Sequence, residues 1–383
     1  MNNKVKKFVP QLITLLAIIL VFGFFTYNAQ INMDNRGIEF GYGFLKQESS
    51  FDVQFSLIEY DGSHSYARAY FVGLLNTLLV SFIGIILSTV IGVIVGIARL
   101  SPNFLIKNTA AFYVEFFRNI PLLLQIFFWY FAALRALPLP QDAEAWFGST
   151  YMTIKGYYVP LFVWNNLDVF LYSILAAIIS IVIIRNYAKK IQENEGKQLP
   201  VLYISLGLLI LLPLLSFIIG GVNLEIKTPV LKQLSATGFI YEPALSLPPE
   251  LIALVLALSL YTATFIAECV RAGIQGVSKG QKEAAASIGL TPRQVLKLVI
   301  MPQALRIIIP PTTNQYLNLT KNSSLAAAIA YPDLVLVFAG TALMQTGRAI
   351  EIVSITMLTY LSISLAISAL MNWYNKKIAI KEK

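Results

Sequence analysis

Charge is what this sequence has least of. Charged residues fill 13% of its 383 positions, about half the share of a soluble domain, whereas hydrophobic residues reach 57% and mean hydropathy is +0.68. That balance excludes a soluble enzyme. It also excludes a disordered chain, which needs low hydrophobicity and high net charge. Cysteine and histidine occur once each, as Cys269 and His64. A lone cysteine closes no intrachain disulfide, and the pair is too small a set to hold a structural zinc. A GxxxxGK[ST] phosphate loop is missing as well: Gly196-Lys197 is followed by Gln198 and lacks the upstream glycine. Any energy this chain uses therefore comes from another chain or from an ion gradient. The net charge of +9 would suggest nucleic acid in a soluble protein, but in so apolar a chain it reports cytoplasmic loops, and no nucleic acid partner is expected.

What is present is a series of long apolar runs. A hydrocarbon core of about 30 Å takes about 20 helical residues, and windows 11–27, 74–98, 110–134, 161–184, 199–221, 251–270 and 350–371 qualify. An eighth, 307–330, is apolar only at its ends. Counting it gives an all-α integral membrane protein of about eight transmembrane helices with both termini in the cytoplasm. Inner segments then carry 19 Lys and Arg against 8 outside, as the positive-inside rule requires. Were the eighth segment a loop, Lys376, Lys377, Lys381 and Lys383 would be exported. The first run follows Lys4, Lys6 and Lys7 and lacks a small-x-small cleavage site, so it reads as an uncleaved anchor.

Three places carry polar groups that lipid would reject. Ten of the thirteen residues from Thr312 to Ser324 are polar, and Asn314, Asn318, Lys321 and Asn322 share one side at helical spacing, with Ser323 beside them. Such a face lines a pathway or serves as interhelical glue. The third window holds Glu115 and Arg118, then Pro121 and Gln125. With Lys321, the two charges would cost about 8–10 kcal/mol facing lipid, so something compensates them. Glu115 with Arg118, and Glu268 with Arg271, are each three residues apart and suit either a self-neutralised pair or a gate.

Residues 271–306 encode two short helices. Ser278 with Gln281 has the spacing of a capping box, and Gly289 suits a left-handed stop after Glu283, Ala284, Ala285 and Ala286. Thr291 with Gln294 repeats the box, Pro292 takes the first helical position, and Pro302 is expected to end the second helix. That second helix, with Val295, Leu298 and Val299 on one side, has the pattern of a helix lying on a membrane surface. The first is small-surfaced and weakly apolar, which suits docking into a partner's groove.

Glu283-Ala284-Ala285, three residues, Gly289, nine residues, then Val299-x-Met301-Pro302 closely resembles the EAA loop of ABC-importer permeases, departing by Val for Ile and Met for Leu. The segment 117–131 is similar to the FRGTPLLVQ element of the polar amino acid branch, with Asn119 and Ile120 in place of Gly and Thr, and Lys321–Leu325 resembles its K-x-[ST]-S-L element. The likeness covers 70–135 and 249–372.

The resemblance implies a five-helix type I ABC-importer core with an N-terminal helix and a two-helix insert added, as in the long permeases of general L-amino-acid importers. The expected organisation is a tip, first helix and periplasmic loop over 1–69, the core over 70–135 and 249–372 with its coupling loop at 271–306, an insert over 136–248 and a basic tail over 373–383. It further implies a subunit of the bacterial inner membrane that imports L-amino acids by alternating access. Its partners would be a cytoplasmic ATPase dimer that binds ATP and Mg, a second related permease forming a heterodimer, a periplasmic amino acid-binding protein and the lipid bilayer. On this reading the chain is not an enzyme and holds no cofactor. Glu283, Ala284, Ala285, Ser287 and Gly289 couple to the ATPase. Gln125, Asn314, Asn318, Lys321, Asn322 and Ser323 line the pathway, with Arg118 a second cation for the substrate carboxylate. An outer docking surface, or merely a solvated loop, lies in 28–69 and 222–248, where acids such as Asp34, Glu39, Glu48, Asp52 and Glu59 gather. The alternatives are a permease for opines or small peptides and a secondary transporter, although no inverted repeat is visible.

Overall fold

The computed structural model describes residues 3–35, 40–235 and 238–378. Glu39 and the tail lysines Lys381 and Lys383 lie outside them. The chain divides into two compact units, 1–129 with 253–383 and 130–252.

In the first unit, α1 (Asn3–Asn35) leads to α2 (Tyr66–Ala98), capped by the Ser65 hydroxyl accepting from the Arg68 N–H. One side of α2 is a seam of small residues: Gly73, Thr77, Ser81, Gly84, Ser88, Gly92 and Gly96 are all buried. Small residues let helices approach closely where lipid gives no hydrophobic drive to associate. At Gly92 an added Cβ would lie 2.7 Å from Ile266, and at Gly96 2.8 Å from the Ala267 carbonyl, so α7 (Pro249–Gln275) sits directly on this seam.

The window 110–134 is not one straight helix. It is α3 (Phe104–Asn119) and α4 (Leu122–Phe127), the latter continued by a π-helical turn, Phe128–Leu134. The two halves meet at 102°. Pro121 is the cause: it pushes Ile120 into an extended conformation, φ −93° and ψ 127°, that ends the preceding helix.

Past α7 come α8 (Lys279–Ser287), the short α9 (Pro292–Gln294) and α10 (Met301–Asn322). Pro302 does not end a helix as expected. A π-helical turn, Val295–Ile300, precedes it and carries the chain on, so helix is continuous from Pro292 to Ile329. A wider turn shifts the carbonyl that the proline ring would otherwise strike. α10 passes through a 3-10 segment to Ala330, then through a second π-helical turn, Val335–Ala342, to α11 (Leu343–Thr346) and α12 (Ala349–Ile378). Phe44, Tyr66, Leu334, Phe338 and Ile352 form one buried cluster, and Ile266, Val270, Ala304 and Ile308 another.

The second unit holds a helical hairpin, α5 (Leu167–Glu195) and α6 (Val201–Ile218), turned by Gly196 at φ +69°. It also holds strands, which the hydropathy windows did not reveal. β1 (Ala145–Trp146), β2 (Thr150–Thr153), β3 (Gly156–Asn165), β4 (Asn223–Lys227) and β7 (Ala244–Leu247) make one antiparallel sheet, and β5 (Val230–Gln233) pairs with β6 (Phe239–Glu242). The expected span starting at 161 therefore begins at Leu167, its first residues belonging to β3.

Among the described residues, seven helices are long and apolar enough to cross a membrane, or eight if α3 and α4 form one bent span. The polar segment 307–330 lies in one of them.

Candidate functional site

The loop helix α8 presents two surfaces. Glu283, Ala284, Ala286, Ser287 and Gly289 are exposed, while Ala285 is 6% exposed, the buried side chain of a helix that packs against the π-helical turn at 295–300. Ala285 is therefore an anchor, not part of the free face. Ile288 belongs to that face instead: it is 77% exposed, a large apolar side chain that the sequence analysis passed over. The stop is a Schellman motif, with Gly289 at φ +83° donating to the Ala286 carbonyl at 2.9 Å and Leu290 to that of Ala285 at 3.3 Å. The Thr291 box forms, its N–H donating to Gln294 Oε1 at 2.9 Å. The Ser278 box does not: Gln281 accepts from Gln303 Nε2 at 2.6 Å, drawn off by a residue of α10. Leu298 is 60% exposed and Val295 buried, so the apolar side proposed for this second helix is split between the two environments.

On α10 the polar run separates by direction. Ile307, Pro310, Asn314, Asn318 and Lys321 are exposed at spacings of 3, 4, 4 and 3, one helix face. Opposite them Ala304, Ile308, Thr312, Leu319 and Thr320 are buried. Thr312, Thr313 and Thr320 return their hydroxyls to the carbonyls of Ile308, Ile309 and Tyr316 at 2.7, 2.9 and 3.0 Å, so these groups are satisfied within the helix. Tyr316 bonds Thr89 of α2 at 2.8 Å. Asn314, Asn318 and Lys321 make no hydrogen bond among the described residues, and Asn322 is half-buried at the edge of their face. Ser323 is fully buried and donates to the Thr320 carbonyl at 2.7 Å, which removes it from the exposed set.

Gln125 also leaves that set. It is 4% exposed, and its Nε2 donates to the carbonyls of Phe117 at 2.7 Å and Ile120 at 3.0 Å. These are end groups of α3 freed by the break, so Gln125 braces the bend. Glu115 and Arg118 form no ion pair among the described residues. Both are exposed, and the Arg118 guanidinium lies 5.2 Å from the ring of Phe265 on α7, a cation–π contact.

Glu268 and Arg271 do pair, Oε2 accepting from Nε at 3.0 Å and Nη2 at 2.8 Å. A third member joins them: Arg99, just past α2, bonds the other Glu268 oxygen. Sequence separation hid this partner; its only local sign was a single cation closing an apolar run. Two buried acids were missed as well. Glu351 accepts from the Gly41 N–H at 2.9 Å, tying the segment between α1 and α2 to α12. Asp333 caps the Leu336 N–H at 2.8 Å, and its burial pushes its pKa up to about 7. Of the proposed outer acids, Glu48, Asp52 and Glu59 are exposed.

Residues 198–380 match the family described as binding-protein-dependent transport system inner membrane component. Over all of this chain and 96% of its own length, YhdX of Escherichia coli (strain K12), which carries an amino-acid ABC transporter permease name, is 46% identical. The general L-amino acid transport system permease protein AapQ of Rhizobium johnstonii is 44% identical, over all of this chain and 94% of that one. The chain belongs to this permease family. BztB of Rhodobacter capsulatus, a glutamate/glutamine/aspartate/asparagine transport system permease, is 38% identical over all of this chain and 96% of that one. A solved amino acid ABC transporter with histidines superimposes at a TM-score of 0.47 and 20% identity, over 82% of this chain and 95% of that chain. A permease of this family is a multi-pass inner-membrane component of an ABC importer rather than its catalytic subunit.

Proposed function

We propose that this permease carries L-amino acids from periplasm to cytoplasm by alternating access, driven by a separate ATPase that grips α8. The observation that carries the coupling reading is the division of α8 into an anchor, Ala285, and a free face of Glu283, Ala284, Ser287 and Ile288. A helix held on one side and bare on the other transmits a push. ATP and Mg belong to the ATPase dimer, and the permease contributes only a bundle whose populations that dimer shifts. The amino acid substrate class is supported by the names of AapQ, BztB and YhdX.

The face at Asn314, Asn318 and Lys321 is read as one wall of the pathway, completed by a second, related permease. A zwitterion at mid-membrane needs donors and acceptors, and these side chains have no other partner among the described residues. Asn322 stands at the edge of that wall, and Arg118 is a second cation for the substrate carboxylate. The Arg99–Glu268–Arg271 cluster ties α2 to α7 near the inner surface and is read as structural. Both termini are placed in the cytoplasm, the 136–248 segment is taken as an insertion into a five-helix core, and the outer acids Glu48, Asp52 and Glu59 face an amino acid-binding protein.

The test is site-directed crosslinking in the assembled transporter. Cysteine at Ala284 or Ser287 is expected to capture an ATPase subunit in a Cys269→Ser background, and Ile288→Glu to lower binding-protein-stimulated ATPase activity at least tenfold. Capture of no ATPase from either position overturns the coupling assignment.

A further inference from the structure

One cavity of the second unit has no place in the transport reading. At the end of the α5–α6 hairpin a space of about 510 Å3 opens among the last turns of α5, the connecting loop and the start of α6. Its polar lining is Arg185, Asn186, Lys189, Gln192 and Gln198, two cations and three amides, and no carboxylate lines it. Arg185 forms no ion pair among the described residues. Lys189 reaches Glu193 only at 3.8 Å, with both side chains more than half exposed, an arrangement worth little. α6 begins at Val201 without a side-chain cap, so the partial positive charge of its first turn adds to the same place.

The surroundings select the kind of anion. Ile183, Tyr187, Leu202 and Tyr203, which flank the cavity on the two helices, are 62, 61, 68 and 76% exposed. The apolar windows of α5 and α6 are each only 6% buried, so the helices that frame the cavity present their sides outward. A small soluble anion would use the cations and amides alone. A molecule with a phosphodiester head and hydrocarbon tails would use both surfaces, and basic pockets between transmembrane helices at the membrane face suit such headgroups. We propose that this cavity binds the headgroup of an anionic phospholipid, with Arg185 and Lys189 on the phosphate and the acyl chains lying along α5 and α6. The planar guanidinium supplies paired donors to phosphate oxygens and the ammonium a mobile point charge. The site does not depend on which ATPase or solute the permease serves.

The test is native mass spectrometry of the purified full-length chain in detergent, titrated in separate arms with cardiolipin, phosphatidylcholine and inorganic phosphate. Cardiolipin is expected to bind in preference to phosphatidylcholine. The double variant Arg185→Gln/Lys189→Gln should weaken it roughly 30-fold, at about five- to sixfold per charge. Arg185→Lys/Lys189→Arg keeps both charges and should stay within about threefold of the parent. Lys376→Gln/Lys377→Gln, a basic pair elsewhere, should change nothing. Undiminished cardiolipin binding by the neutralised double variant overturns the proposal. So does equal loss in the charge-keeping variant, or displacement of cardiolipin by an equal concentration of inorganic phosphate, which would make this a site for a free anion.

Discussion

Two of the apolar helices meet opposite fates. The most apolar window of α7 is 67% buried within the chain, and that of α5 only 6%. Both are long enough to span, and hydropathy alone does not tell them apart. The difference lies in what is opposite. α7 brings Ala263, Ile266, Ala267 and Val270 against the glycines of α2, where the absence of side chains lets two backbones close. α5 turns Leu171, Leu175, Ile179, Val182 and Ile183 outward, large side chains that lipid solvates as well as protein does. In a membrane, small residues mark the interior more reliably than apolar ones.

The sharpest way to break this comparison is to add the same side chain in both settings. Gly92→Leu would drive atoms into Ile266, whose Cβ and Cγ2 already lie 2.7 Å from a hypothetical Cβ, and is expected to remove about 3 kcal/mol or more and most of the folded yield. Gly207→Leu on α6 meets nothing within 4 Å and should leave thermal stability unchanged or slightly raised. Equal effects would mean that the α2–α7 seam is not close-packed. A second contrast sets a buried acid against exposed ones. Burial raises the pKa of Asp333 to about 7, well above the usual value near 3.9, so the folded chain holds a proton there that the unfolded chain releases. The contribution of Asp333 to stability is therefore greatest below about pH 4 and is lost as pH rises to about 7, on the order of 4 kcal/mol in all. Asp61 shifts the other way, lowered by the Ser63 hydroxyl, and is exposed. Thermal unfolding from pH 5 to pH 8 should show the parent losing ground against Asp333→Asn; parallel curves would sink the assignment.

How much of this was legible depended on the distance over which each feature is encoded. The spans, the Gly289 stop and the Thr291–Gln294 box are written within a few residues and were readable. The polar run at 312–324 was readable as a segment, but its division into self-bonded threonines and bare asparagines depends on which side meets α2, and no local pattern states that. Pro121 stood in plain view inside the third window, yet averaging hydropathy across 25 residues concealed the bend it makes. Gln125 looked available because its acceptors, the Phe117 and Ile120 carbonyls, exist only once the helix has broken. The Ser278 box failed because Gln303, 22 residues on from Gln281, competes for it. Arg99 and Glu268 lie too far apart in sequence for spacing to join them, and the strands of the second unit are mostly too short to alternate visibly.

Two polar residues once read alike now separate, and they give the smaller tests. Gln125→Leu frees two carbonyls at the α3–α4 break while removing a buried Oε1 that has no partner, so the net loss should be about 1–2 kcal/mol. Asn318→Leu removes a side chain with no hydrogen bond among the described residues from an exposed position, and stability should move by less than about 0.5 kcal/mol. Its consequence should appear in transport, where uptake by vesicles containing the whole complex is expected to fall to a tenth or less. The two readouts together carry the argument, because a structural asparagine would move the first and a pathway asparagine the second. Stability lost without a change in uptake would place Asn318 with Gln125 as part of the scaffold and move the wall of the pathway to another face.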